Sequence, residues 1–196
     1  MRISKKCPLC NKSLKNFLDL GMHPCADTFL KNKNDAIKLK KYPLVVGYCD
    51  CNHLSAIYNV SPFIRYKKND YSYTSNNSPV SVAHFNQIAK RIIKIFKIKK
   101  DSKIIEIGSN DGTFLKNIEK YAGSQVLGVD PATNMCKLSR KKSIASLDIF
   151  FNYDQAKKIV EDFGKFDVLY GANVFNHINN PKNFLLGCKK ILKING

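Results

Sequence analysis

At 196 residues, 44% of them apolar and including nine Tyr and twelve Phe, the chain is long enough for one large domain, or for a domain with a small appendage, around a real core. No apolar run approaches the roughly 20 residues of a membrane span. The opening "MRISKKCPLC" has no apolar stretch of signal-peptide type, so a soluble, cytoplasmic protein with no membrane partner is expected. The net charge of +18, from 33 Lys and Arg against 15 Asp and Glu, favours polyanionic partners. The excess is mostly Lys scattered among abundant Asn and Ile, however. Patches rather than totals carry a nucleic-acid signal, so nucleic acid is not the expected partner.

Residues 1–62 form a first segment with five of the seven cysteines and two strand-like runs, "YPLVVGYC" (Tyr42–Cys49) and "LSAIYN" (Leu54–Asn59). An odd cysteine count without a secretory leader argues against a disulfide framework. "CPLCN" instead sets Cys7 and Cys10 on a tight turn of zinc-knuckle form, and "CDCNH" supplies Cys49 and Cys51. Four thiolates on a small strand-rich lobe make a structural Zn2+ site. The second pair is C-x-C, narrower than the usual C-x-x-C, which leaves His53 open as a substitute ligand. Cys25, Cys136 and Cys188 read as small packed residues.

Residues 63–100 begin with a polar, Tyr-rich loop, "YKKNDYSYTSNNSP" (Tyr66–Pro79), and continue as a helix from about Val80 to Lys97. Ala83, Ile88, Ile92 and Phe96 share one side of that helix, and Lys90, Arg91, Lys94 and Lys97 the other, which reads as a solvated face. From residue 101 to residue 196 strand and helix patterns alternate. "KIIEI", "SQVLGV", "IASLDIF" and "FDVLYGA" read as buried strands, with helices expected near 112–121, 132–142, 154–163 and 181–193. The alternation implies an α/β fold with a doubly wound parallel sheet. "KKILKING" falls where a helix would close and a fifth strand would start.

The first strand runs into Glu106, Gly108, Asn110, Asp111 and Gly112. A nicotinamide or flavin turn would show G-x-G-x-x-G. Acid-x-Gly-x-Asn-x-Gly is instead the pattern of S-adenosylmethionine methyltransferases, with Asn at the middle glycine, a residue that tolerates the left-handed region. Glu106 would meet the ammonium of the methionine portion, and Asp130, at the end of the second strand, would meet the ribose hydroxyls.

With these parts in place the chain resembles the C-methyltransferases of nucleotide-linked deoxysugars. The matching segments are "CPLC", "FLDLGMHPCADTFL", "YSYTSNNS", "IIEIGSNDGTFL", "VLGVDPATN" and "GANVFNHI", in family order. The resemblance implies an N-terminal zinc-binding lobe, a class I methyltransferase domain and a nucleotide-sugar substrate methylated at a carbon beside a ketone. It implies roles at the substrate for Tyr71, with Tyr73 as a neighbour, and for His177, and it adds Asn173 to the cofactor residues. The family's proposed general base lies in a His-Glu-His segment after the fifth strand. By resemblance this is therefore the front half of an enzyme: a truncated gene product, one piece of a split gene whose C-terminal half is a separate chain, or a domain taken alone. Two other readings stand beside it: a zinc-containing RNA methyltransferase, against which the chain lacks an N/D-P-P-Y segment and a Pro-Cys nucleophile, and a non-catalytic remnant that only binds the cofactor.

Overall fold

The computed structural model describes residues 2–26, 28–68 and 70–196, without the side chains of Arg2 and Lys68; Asn69 of the Tyr-rich segment lies outside the described residues. The chain divides into two compact units, residues 1–72 and 73–196.

The first unit is built on antiparallel strands. β1 (Arg2–Ile3) will pair with the last strand of the unit, and β2 (Lys15–Pro24) is followed by a short helix α1 (Lys33–Ile37), capped by Asn32. Then come β3 (Lys41–Cys49), β4 (His53–Ala56) and β5 (Tyr58–Asn59). A three-stranded sheet has the order β2-β3-β4, and β1 pairs with β5. The expected run Leu54–Asn59 is thus two strands, broken at Ile57, which turns inward and is buried with Val45. β2 was not read as a strand from sequence. Every residue of it is exposed, so no burial pattern of period two marks it. Its ladder slips between Asp19 and Met22, where Gly21 takes φ +79° and donates its N–H to Asp19 Oδ1 at 2.8 Å, a β-bulge. One wide helical turn, Ile64–Lys68, follows β5.

The second unit opens with α2 (Pro79–Phe96), which starts as a helix should. Ser78 accepts from the Ser81 N–H at 3.1 Å, Pro79 holds the first position, and left-handed Lys97 ends it. Strand and helix then alternate as β6 (Lys103–Ile107), α3 (Thr113–Ala122), β7 (Gln125–Val129), α4 (Thr133–Lys141), β8 (Ser146–Leu147), α5 (Tyr153–Phe163), β9 (Val168–Tyr170) and α6 (Pro181–Ile191). All pairings in the sheet are parallel, in the order β8-β7-β6-β9. The last two strands are shorter than their sequence patterns. β8 keeps only Ser146 and Leu147 at the sheet edge before Asp148 turns away to meet the Thr133 hydroxyl at 3.2 Å. After α6, Leu192 forms a parallel bridge with Phe166, near where the sequence pattern placed a fifth strand.

Because side chains alternate along a strand, β6 feeds two cores. Ile105 and Ile107 pack with Leu127, Val129, Ala156, Ile159, Phe184 and Ile191 beneath α5 and α6. Ile104 faces the other way, toward Phe114, Leu115, Ile118 and Ala89 of α3 and α2. Glu106 shares that second direction. The sheet order reverses at β6, so a crevice opens between the C-terminal ends of β6 and β9, the usual ligand position in such folds. Phe114 is 1% exposed and stacks on Tyr170 of β9 at 4.2 Å, holding α3 against the sheet beside that crevice. Phe114→Ala should cost about 3–5 kcal/mol, read as a lower urea midpoint without a change in slope.

Candidate cofactor crevice and four-cysteine site

The turn after β6 is bent by glycine where no other residue fits. Gly108 has φ +72°, and a Cβ there would strike Val174 of the segment after β9. Gly112 has φ +74°, and a Cβ there would strike the Ser139 hydroxyl of α4. The turn therefore touches both the β9 loop and α4 with bare backbone. Asn110 between them is left-handed too, at φ +51°.

Asp130 holds this turn from β7. Its Oδ2 accepts the Asn110 N–H at 2.8 Å, and its Oδ1 accepts the Ala132 N–H at 2.8 Å. A carboxylate oxygen accepts more than one bond, so these contacts orient Asp130 without barring it from a ligand's hydroxyls. The Asp111 carboxylate is used locally: Oδ1 accepts from the Thr113 hydroxyl at 2.7 Å and its N–H at 3.2 Å, and Oδ2 lies 2.9 Å from Lys142 Nζ. Lys142, at the end of α4, had no sequence signal, being one lysine among many. Its partner was fixed only by folding α4 back over the turn.

Glu106 is the chemically unbalanced member of the set. It is 4% exposed, its Oε2 has no hydrogen-bond partner among the described residues, and its pKa is raised well above the ordinary carboxyl value. Burial is the main cause, and the Asp130 and Asp111 carboxylates add to it. A buried, underbonded acid at the end of a strand beside a glycine turn suits a cationic ligand group such as an ammonium. The buried acids around the turn fit the ammonium and ribose hydroxyls of S-adenosylmethionine.

On the other wall of the crevice, Asn173 is left-handed at φ +55° and exposed, directly before Val174. His177 follows in a short turn, Phe175–His177, with its ring exposed and its N–H donated to the Val174 carbonyl at 2.9 Å. The structure thus brings Glu106, Gly108, Asn110, Gly112, Asp130, Asn173 and His177 to one end of the parallel sheet. Tyr71 belongs to the first unit, where its ring lies 5.4 Å from that of Tyr66.

The four predicted zinc ligands converge. Cys7, Cys10, Cys49 and Cys51 place their sulfurs within 4.8 Å of one another, and no other such group occurs among the described residues. Three of the separations are 3.4, 3.5 and 3.6 Å. A tetrahedron of Zn–S bonds near 2.3 Å needs sulfurs about 3.8 Å apart, so the set fits zinc with little movement. The C-x-C pair works because each pair is followed by a left-handed Asn. Asn11 at φ +61° donates its N–H to the Cys7 carbonyl at 3.0 Å, and Asn52 at φ +63° donates to that of Cys49 at 2.9 Å. His53, paired with Cys49 in the ladder, is not part of the group. The thiols crowd one another: hydrogen bonds with Cys10 and Cys49 push Cys51 up to about 12. Cys7 is lowered to about 7, burial being overcome by the backbone groups of Cys10 and Leu9. Outside the set, Cys136 is buried against the Asp130 carbonyl, and burial pushes Cys188 up to about 11.

Two measurements check these sites. Glu106 holds its proton more tightly folded than unfolded, so the native state loses stability as pH rises from the ordinary carboxyl value to the raised one. Glu106→Gln should therefore melt about 2–4 °C above the wild type at pH 8, with the gap closing toward pH 4. Zinc released by a thiol reagent should approach one equivalent per chain. Cys49→Ser should lower that content and unfold the first unit, because structural zinc contributes on the order of 10 kcal/mol to such lobes, while the signals of the second unit persist.

Comparison with known proteins agrees with this division. Residues 105–196 match the family described as "Methyltransferase domain", and residues 7–64 the family described as "Putative zinc binding domain". The C-methyltransferase NovU of Streptomyces niveus is 24% identical over 195 residues, which is 97% of this chain and 45% of that protein. The ubiquinone biosynthesis O-methyltransferase of Maricaulis maris is 30% identical over 96 residues, 48% of this chain and 37% of that one. The chain thus spans less than half the length of these relatives. A proposed S-adenosyl-L-methionine-dependent methyltransferase of Methanococcus maripaludis, solved by crystallography, superposes with a TM-score of 0.49 at 17% identity, covering 61% of this chain and 54% of that one. From residue 105 onward the chain carries a domain similar in sequence to methyltransferase domains, on the class I methyltransferase fold that its glycine turn and spaced acid led us to expect.

Proposed function

We propose that the chain binds S-adenosylmethionine in the crevice between β6 and β9 and serves methyl transfer to a carbon of a nucleotide-linked keto-deoxysugar. The observation that carries the cofactor reading is the buried Glu106 carboxyl with its unpartnered oxygen beside the glycine turn. Similarity to a C-methyltransferase along 97% of the chain supports a carbon acceptor, and the family-ordered motifs support the sugar. Glu106 would hold the methionine ammonium and Asp130 the ribose hydroxyls, at a turn that Gly108 and Gly112 allow to pack against Val174 and Ser139. Asn173 would close the site from the β9 side. When bound, S-adenosylmethionine supplies an electrophilic methyl group on a sulfonium. His177 and Tyr71 are proposed for the acceptor: a phenol hydrogen-bonds a developing enolate oxygen, and an imidazole takes or relays the proton lost from the adjacent carbon.

Calorimetric titration with S-adenosylhomocysteine tests the cofactor half of this reading. Micromolar binding is expected, weakened at least tenfold in Asp130→Ala. The ligand ammonium favours the ionised form of Glu106, so binding should release a proton below its raised pKa. Affinity should then climb with pH and level off above that value. Glu106→Gln should bind weakly with no such pH dependence. A folded, zinc-loaded chain that shows no binding would remove the proposal. For the acceptor, transfer of a labelled methyl group to carbon of a nucleoside-diphosphate keto-deoxysugar is the expected result.

A further inference from the structure

Asn110 occupies a position where glycine would satisfy the backbone, and its side chain does something glycine could not. Its amide oxygen accepts the Ser75 N–H at 2.9 Å, and its amide nitrogen donates to the Tyr73 carbonyl at 3.0 Å. The two bonded groups flank residue 74, which is how a residue in a parallel ladder grips the neighbouring strand. The amide therefore acts as one rung of sheet for a segment that has none: residues 71–74 carry no regular structure. The Ser75 half of the contact is buried, with Asn110 7% and Ser75 6% exposed. At the same time the Asn110 main-chain N–H is held by Asp130. One residue is thus fixed by its backbone to the acid of β7 and by its side chain to the Tyr-rich loop.

We propose that Asn110 is a positioning residue that fastens the Tyr73–Ser75 segment to the glycine turn, so that the turn's occupancy is felt by the Tyr-rich loop. The second clause rests on the cofactor reading above; the first does not. Residue 110 must be left-handed to present its amide to the loop, and Asn is among the few side chains that accept this conformation. An Asp there would still accept from Ser75 but would set an oxygen against the Tyr73 carbonyl. A Gly would keep the turn and release the loop. In this arrangement Tyr73 is a loop tyrosine whose main chain is tied to the turn.

Amide hydrogen exchange on the full chain, read by mass spectrometry, tests this. In Asn110→Gly the segment 73–78 should exchange at least tenfold faster than in the wild type, with β6 and β7 unchanged, and Asn110→Asp should fall between. Equal exchange of 73–78 in wild type and Asn110→Gly overturns the proposal. Should the sheet itself loosen in Asn110→Gly, Asn110→Asp decides. Faster loop exchange over a protected sheet supports the assignment, and unchanged exchange overturns it. Saturating S-adenosylhomocysteine should slow the loop in the wild type and leave it unprotected in Asn110→Gly; equal slowing in both would also overturn it. If the compound protects neither turn nor loop in the wild type, the cofactor reading and the coupling fall with it, and the fastening is judged on the ligand-free rates.

Discussion

Two hydrogen bonds to one carboxylate set the shape of the crevice. Asp130 at the end of β7 takes the N–H of Asn110 on one oxygen and that of Ala132 on the other, so the turn after β6 and the entry to α4 are positioned by a single group. Around it the other constraints fall into line. The Val129 carbonyl accepts from the Gly108 N–H at 2.7 Å, and the glycines let the turn lie against Val174 and Ser139. The cost of the arrangement is three acids within one low-dielectric region. Asp111 is compensated by Lys142, and Asp130 by backbone donors. Glu106 has neither kind of compensation at Oε2 among the described residues, and burial together with the Asp130 and Asp111 carboxylates raises its pKa. An uncompensated buried acid is destabilised in its ionised form, the form that a neighbouring cation would stabilise.

The parallel sheet was legible because the signals for it are local. Apolar β6 and β7, a glycine turn and an acid at the next strand end all lie within one continuous stretch, and the predicted helices fall within a few residues of those observed. The cysteine set was legible for a similar reason: two pairs of thiols are rare, and metal chemistry leaves few alternatives. The sequence left the sufficiency of Cys51 open. What decides it is the conformation of Asn52, and Asn after a cysteine is too common to signal a left-handed turn by itself.

The rest depended on tertiary contact. Lys142 meets Asp111 across 31 positions of sequence, and Asn110 meets Ser75 across 35, with nothing in either local window to mark the pairing. The sequence reading placed Asn110 among the cofactor residues for its backbone conformation. In the structure its side chain bonds the loop, while the backbone stays in the turn. β2 escaped notice for the opposite reason: its apolar residues Phe17, Leu18, Leu20 and Met22 are all exposed, so burial imposes no readable period on them.

That strand carries a consequence for the behaviour of the chain in concentrated solution. β2 lies at the border of its sheet, and a straight apolar border strand is a template on which a like strand from another molecule could extend the ladder. The bulge at Asp19–Gly21 removes the straight run. Gly21 turns its backbone out of line, and its N–H is consumed by Asp19 of the same strand. Only short stretches of main chain on either side remain regular, and a charged side chain sits at the break. The irregularity that hid the strand from a periodic reading thus also hinders its growth into intermolecular sheet.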